Sequence, residues 1–448
     1  MASQVHQLSL GPITAHAFNA DRSKVAVCPN TNEVQIYDST HAGWVLTHTL
    51  KEHDKLVTSI DWAPQSNRIV TCSQDRNAYV WTLGQDALVP SKQVWKPTLV
   101  LLRLNRAATF VRWSPNEDKF AVASGARIIS ICSFESDNDW WVAKHIKRPL
   151  RSTVLSLDWH PNNVLLAAGS ADMRARVFSA FIKGIDERPP PSVWGERLPF
   201  GTVCGEYATP AGGWVHGVAF SPSGDALAFV GHDSSLTVVY PSGPEQPPHA
   251  IHVLRSPTLP YVALDWITET SLVAGGHDCQ PVLFEGDVNG GWRISKTLDV
   301  GGSAATKAAP PPPPPKAPGL SSGGPPGVGR LNNEAFNRFK SADARGSSSA
   351  PSSGLGNAPP SPGGAGAGNG SIASHLGAVA GASVGADGEL HTTHQNTITS
   401  IRTYEGSRED VKSVSTSGVD GRLCVFEIKG KGAGIGGIQK GLASMRVA

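Results

Sequence analysis

The sequence predicts an all-β fold, a seven-bladed β-propeller, on three observations. Short alternating apolar runs are separated by tight turn signals, and the pattern recurs seven times along the chain. The repeats are spaced mostly in the forties and fifties of residues, near the period of about 40–45 expected for four-stranded blades.

The clearest unit runs from His53 to Trp81, HDKLVTSIDWAPQSNRIVTCSQDRNAYVW. Its runs Val57–Trp62, Arg68–Cys72 and Asn77–Trp81 favour Val, Ile and Trp. The turns at Pro64 and Asp75 fall too close together for a helical period to become established. The polar residues suit a hydrogen-bonded staple of His53, Ser59, Asp75 and Trp81, which satisfies buried groups and ties loops to strands. Read as chemistry, Ser59, His53 and Asp75 form an acid–base or nucleophile set; the staple reading is preferred, because it is what a repeat unit needs internally.

In chain order, first runs end at Phe18, Trp62, Trp113, Trp159, Phe220, Trp266 and Thr403. Turns follow, often with Pro (Pro64, Pro115, Pro161, Pro222), then second runs such as KFAVAS, VLLAAGS, ALAFVG and SLVAGG. Third runs end at Asp38, Trp81, Phe134, Ser179, Pro241, Gly286 and Ile428, and turn aspartates Asp75, Asp172, Asp233, Asp278 and Asp420 precede five of them. Lys183–Gly213 reads as an extra loop. Too little sequence follows Ile428 for another good strand, so the alternating run VHQLSL, Val5–Leu10, is expected to complete the last blade. The expected organisation is residues 1–300 for the closing strand and six blades, 301–396 for an insertion, 397–428 for blade seven and 429–448 for a basic, Gly-rich tail, flexible or ordered by a partner.

Composition narrows the function. With 448 residues, 40% hydrophobic, and a formal charge of +2, the chain reads as a soluble protein and not as a highly charged nucleic-acid binder. It contains no apolar run long enough for a membrane span, and its N-terminus lacks the charged and apolar regions of a signal peptide. The six cysteines are scattered without a C-x-x-C pair, most within expected strands, as reduced buried thiols in a cytoplasmic protein would be. No Gly-rich phosphate loop, H-E-x-x-H or metal-ligand spacing occurs; His232 and His277, in GHDSS and GHDCQ, look like turn chemistry. No catalytic, cofactor-binding or metal site is therefore assigned.

The insertion is rich in Gly, Pro, Ser and Ala, too poor in apolar residues to offset the entropy of ordering. Its proline run Pro310–Pro315, followed by Lys316, suits an SH3-like or profilin-like groove, or serves as a stiff spacer. One island, GRLNNEAFNRFKSADARG, sets Leu331, Ala335, Phe339 and Ala342 on one face of a short helix over about 331–342, with Phe336 beside them and Arg338 on a polar side. Tethered on both sides, it reads as a ligand that docks its aromatic pair in a partner's groove; packing onto the propeller rim is the alternative. Lys144, Lys147, Arg148 and Arg151 form a basic cluster between the third and fourth units, joined by Arg174 and Arg176 and flanked by Trp140 and Trp141. That cluster suits an acidic tail, or is a solvated loop.

Together, ITAHAFNADRSKVAVCPNTNEVQIYD, EHDKLVTSIDWAPQSNRIVTCSQDRNAYVW, VRWSPNEDKFAVASGARIISIC and SLDWHPNNVLLAAGSADMRARVFSAFIKGID resemble the WD40-repeat subunit, subunit 1, of the actin-related protein 2/3 complex. The resemblance implies a non-catalytic structural and regulatory subunit of a machine that nucleates branched actin filaments, without a cofactor of its own. It implies contacts with the other subunits, with the actin filament and with acidic regions of nucleation-promoting factors, in the cytoplasm at cortical actin patches. Actin and activator binding falls by this resemblance on the insert helix, Leu331, Ala335, Phe336, Arg338 and Phe339, and the acidic-tail role suits Lys144, Lys147, Arg148 and Arg151. A general WD40 adaptor, such as a substrate receptor unrelated to actin, is the alternative that fold alone leaves open.

Overall fold

The computed structural model describes residues 2–86, 93–243, 246–299 and 390–428. Among them run twenty-eight strands in seven four-stranded antiparallel sheets. Strand β1 (Ala2–Gln7) stands apart from the first blade, which holds β2 (Ala15–Phe18), β3 (Lys24–Cys28), β4 (Val34–Thr40) and β5 (Gly43–Leu50). The second blade is β6 (Val57–Trp62), β7 (Arg68–Ser73), β8 (Ala78–Gln85) and β9 (Gln93–Val100). The third is β10 (Ala108–Trp113), β11 (Lys119–Ser124), β12 (Ile129–Glu135) and β13 (Trp140–Ile146). The fourth is β14 (Val154–Trp159), β15 (Leu165–Ser170), β16 (Arg174–Ser179) and β17 (Val203–Ala208). The fifth is β18 (Val215–Phe220), β19 (Leu227–Gly231), β20 (Ser235–Tyr240) and β21 (Ala250–Arg255). The sixth is β22 (Tyr261–Thr268), β23 (Ser271–Gly276), β24 (Val282–Asp287) and β25 (Gly291–Thr297). The seventh joins β26 (Ile398–Ser407), β27 (Asp410–Gly418) and β28 (Arg422–Glu427) to β1.

The expected closure by an N-terminal strand is therefore present, three residues earlier than the alternating run suggested. β1 pairs antiparallel with β28, from Ala2 opposite Phe426 to Gln7 opposite Arg422. The apolar cores lie between blades. Val70 and Val80 of the second blade pack with Val111, Trp113 and Phe120 of the third, and Leu236 and Val238 of the fifth pack with Leu264 and Trp266 of the sixth. The two inner strands of each blade are covered on both faces, which is why β7, β11, β15 and β19 are buried almost throughout and read as continuous apolar runs.

Polar staples hold neighbouring blades in register around the axis. The residue before the anchor aromatic is an aspartate in alternate blades, and its carboxylate accepts the backbone N–H of the next blade's anchor position. Asp61 takes Trp113 N at 2.8 Å, Asp158 takes Phe220 N at 2.8 Å and Asp265 takes Thr403 N at 3.0 Å. Nearer the other end of the axis, threonine hydroxyls donate to the next blade's carbonyls: Thr58 to Ala108 at 3.0 Å, Thr109 to Val154 at 2.6 Å and Thr399 to Ile13 at 2.6 Å. Buried charge and hydroxyls are thus satisfied between blades, where they also fix the rotation of each sheet.

Two expectations about long connections are corrected. The stretch Lys183–Gly213 is not only a loop: it contains the outer strand β17, and the segment before it is fastened under three blades. Asp186 pairs with the buried Lys119 of the third blade and accepts Nδ2 of Asn163 at 3.0 Å, while the Trp194 indole N–H donates to the Gly224 carbonyl at 2.7 Å. The insertion was expected to reach residue 396, yet residues 390–396 already belong to the seventh blade: His394 is fully buried and bonded to Asp420 and Thr416. The carboxylate of Asp299 accepts from the Thr393 N–H at 2.5 Å and its hydroxyl at 2.8 Å, so the chain leaves and re-enters the ring at one point.

Candidate functional site

The residues singled out as a staple do form one, with one exchange. His53 Nδ1 lies 2.7 Å from Asp75 Oδ2, its Nε2 lies 2.8 Å from the hydroxyl of Thr71, and the Trp81 indole donates to that same hydroxyl at 3.0 Å. Ser59 is not the linking hydroxyl: its Oγ is buried without a hydrogen-bond partner among the described residues. Thr71 sits on the second strand, between the ring on the preceding loop and the indole on the third strand; Ser59 follows a register irregularity in the innermost strand. The seventh blade repeats the motif with His394, Asp420 and Thr416.

These groups are saturated by one another and buried, which leaves no open nucleophile. Burial raises the carboxyls of Asp75 and Asp420, but the donors converging on them outweigh it and hold both below the ordinary range: His53 with the Asn77 and Asp54 amides, and His394 with the Gln395 and Arg422 amides. Thr71→Val is expected to cost about 1–3 kcal/mol by orphaning two buried ring nitrogens. Ser59→Ala should be close to neutral in the same denaturant melts, and equal losses at the two sites would restore Ser59 to the staple.

The thiols are inert for the same physical reason. Burial pushes Cys72 and Cys204 up to about 12 and Cys279 to about 11, and raises Cys28, Cys132 and Cys424 as well. Among the described residues no group of three or more His, Cys, Asp and Glu side chains is placed to hold a metal, and no helix is long and apolar enough to cross a membrane.

The basic cluster survives in part. Lys144 is exposed on β13, and Lys147, Arg148 and Arg151 are exposed on the loop from β13 to β14. Arg176 does not join them. It is 2% exposed, its Nη1 bonds both oxygens of Asp172 at 2.8 and 2.9 Å, and its Nε bonds Glu206 at 2.7 Å. Arg174 is likewise engaged by Glu206, at 3.1 Å. Alternation along β16 and an acid thirty residues away decide this, and neither was visible in a count of basic residues. Trp141 is also removed from the surface, packed on Trp113, Phe120 and Phe134, whereas Trp140 is 58% exposed.

Topology adds cations that the linear reading missed. In an antiparallel meander, loops entering an inner strand and turns between second and third strands emerge at the same end. Loops 101–107, 125–128 and 147–153 therefore share one end of blades two to four. They carry Arg103, Arg106, Arg127, Lys147, Arg148 and Arg151, all exposed, and no carboxylate. Spacing of the loops at one blade period was the available signal. Such a field attracts acidic segments and weakens with salt. The insert residues Leu331, Ala335, Phe336, Arg338 and Phe339, the run Pro310–Pro315 and the tail 429–448 lie outside the described residues.

Comparison with known proteins fits this architecture. The WD domain, G-beta repeat family matches residues 44–82 and 144–179. Each match starts on an outer strand and ends on the third strand of the next blade, the frame that β1 completes at the seventh blade. Actin-related protein 2/3 complex subunit 1 of Schizosaccharomyces pombe is 47% identical over 426 residues, covering 95% of this chain and 99% of that protein. Subunit 1A-B of Xenopus laevis is 43% identical over 95% of this chain and 96% of its own length, and subunit 1 of Saccharomyces cerevisiae 37% identical over 95% and 97%. Likeness of this degree over nearly the whole length, on a seven-bladed ring, shows that the chain belongs to the family of subunit 1 of the actin-related protein 2/3 complex.

Proposed function

We propose that this chain is a non-catalytic structural and regulatory subunit of the actin-related protein 2/3 complex, supporting nucleation of branched actin filaments through contacts with other subunits, actin and nucleation-promoting factors. The observation that carries the proposal is the near-full-length similarity to proteins named as subunit 1 of that complex. Staples such as those of His53 and His394, which engage one another's polar groups, and six exposed cations sharing one end of blades two to four support a docking role over a chemical one. The cytoplasmic actin cytoskeleton is the corresponding location.

Within this reading, Lys144, Lys147, Arg148 and Arg151 receive the acidic regions of nucleation-promoting factors, and the insert helix, through Leu331, Ala335, Phe336, Arg338 and Phe339, engages actin or an activator. Pro310–Pro315 is the corresponding candidate for an SH3-like or profilin-like reader. Co-purification tests the core of the proposal: the full chain is expected in stoichiometric complex with two actin-like proteins, and its recovery without them would reject it. Phe336→Ala with Phe339→Ala should lower branching by the reconstituted complex without changing the melt of the ring. Lys147→Glu with Arg148→Glu should weaken binding of an acidic activator peptide about tenfold at low salt, with the difference shrinking as salt is raised. Equal affinities at low salt would remove the basic end from the proposal.

A further inference from the structure

The fifth blade brings together two histidines that the sequence holds sixteen residues apart: His216 Nε2 lies 2.9 Å from His232 Nδ1. His216 is the second residue of β18, the place where blades two, three and seven carry Thr58, Thr109 and Thr399 and staple to the next blade. The register irregularity between Val215 and Gly217 leaves it out of the ladder, and an extra residue of this kind aims its side chain away from the regular alternation. His232 follows β19, and its backbone N–H donates to the Trp214 carbonyl at 2.8 Å, which holds the two histidine backbones side by side. His216 is partly buried and His232 exposed. Trp214, 53% exposed, lies beside them, its ring 5.6 Å from that of His232 and tilted by 30°. His277, on the corresponding turn of the sixth blade, is committed through Nδ1 to the Thr397 hydroxyl at 3.0 Å, and the carboxylate of Asp233 is taken by the Ala211 amide and the Ser235 hydroxyl.

Two imidazole nitrogens facing each other so closely share either one proton or one metal ion. The separation selects among ions. Nitrogens bound to one ion at about 2.0–2.1 Å lie about 2.9 Å apart when they meet at a right angle, and about 3.4 Å apart when the site is tetrahedral. The observed separation is that of neighbouring corners of a square, the arrangement of Cu²⁺ and Ni²⁺ and not of Zn²⁺. We propose that His216 and His232 form a surface site for a divalent transition-metal ion that takes its ligands at right angles, Cu²⁺ or Ni²⁺. His216 Nε2 and His232 Nδ1 are the protein ligands, and water fills the remaining corners. The ion sits to one side of the line between the nitrogens, and a turn of the exposed His232 ring about its side-chain bonds points both lone pairs at it. The proton between the rings moves to the other nitrogen of the ring that carried it, so both histidines bind as neutral imidazoles. Of the two ions, Cu²⁺ is held more tightly, as it is by imidazole sites in general.

Titration of the purified full chain with Cu²⁺ and, separately, with Zn²⁺, in a buffer that does not bind metals, tests this. The native chain should hold Cu²⁺ more tightly than Zn²⁺, and the Cu²⁺ form should show electron-spin coupling to two imidazole nitrogens. His232→Ala, a change at an exposed side chain, should melt as the native chain does and bind Cu²⁺ at least about tenfold more weakly, since losing a ligand costs no less than losing a group that orients one. His216→Ala should weaken binding as much; should it melt early, the His232 variant decides alone. His41→Ala, which removes an exposed histidine from the β4–β5 turn, should change nothing. A local signal places the ion: Cu²⁺ should quench the native tryptophan fluorescence, and Trp214→Phe should remove most of that quenching. Cu²⁺ affinity unchanged in His232→Ala, quenching unchanged in Trp214→Phe, or Zn²⁺ held more tightly than Cu²⁺ overturns the proposal.

Discussion

Deleting Ala2–Gln7 is expected to lower the melting temperature by about 10 °C or more. Five residues of β1 pair with β28, and at about 1 kcal/mol net for each backbone hydrogen bond the strand contributes roughly 5 kcal/mol before side-chain packing is added. The loss is not local, because β1 is covalently continuous with the first blade while hydrogen-bonded into the last sheet, and so fastens one to the other. Without it, β28 becomes a free edge carrying Leu423, Cys424 and Phe426, all fully buried in the native ring. An edge of that kind pairs with other chains, so the truncated protein should also sediment as larger species. A truncated chain that melts like the native one and stays monomeric would show that closure does not depend on this strand.

Asp186→Ala is the second large effect, at about 3–5 kcal/mol in denaturant melts, the usual cost of leaving one member of a buried ion pair alone. Lys119 and Asp186 are 0% and 1% exposed at their side chains, and the lysine lies over the Trp159 ring at 5.4 Å. Burial already lowers the Lys119 pKa, opposed by the hydrogen bond and charge of Asp186, so removing the carboxylate leaves the ammonium with only the more distant Asp118. Asp186 Oδ2 also accepts the Ile182 amide at 2.7 Å, which folds the start of the long connection onto itself. Replacing both charges, Lys119→Met with Asp186→Leu, should recover most of the loss, since an apolar pair of similar volume avoids the desolvation of two ions. If the double variant is as unstable as the single one, the connection is held by something other than this pair.

Much of this architecture could be read from residues, and the limits had physical causes. Inner strands such as Val57–Trp62 and Val154–Trp159 are covered by neighbouring blades and end in an aromatic that packs between sheets, so their signal was strong. Outer strands such as β21, AIHVLR, and β5, GWVLTHTL, each leave three residues exposed and carry no anchor, and the pattern there was too weak to mark a strand. The staple was legible as a set of residue types, but which hydroxyl completes it depends on the direction of a side chain. Thr71 and Ser59 differ in that direction by their place in the sheet. His394 was hidden because HTTHQN has the polar composition of the insertion before it, although it is the seventh blade's counterpart of His53.

Closure by the first strand also sets an order in time. Ala2–Gln7 leaves the ribosome before its partner Arg422–Glu427, which begins 415 residues after Gln7. At about 5–20 residues per second, the strand waits roughly 20–80 s for its mate. Throughout that interval the nascent blades form an open arc with β1 unpaired, and the arc becomes a circle only once Arg422–Glu427 has been made. Premature stops anywhere before Arg422 therefore produce arcs and never smaller rings.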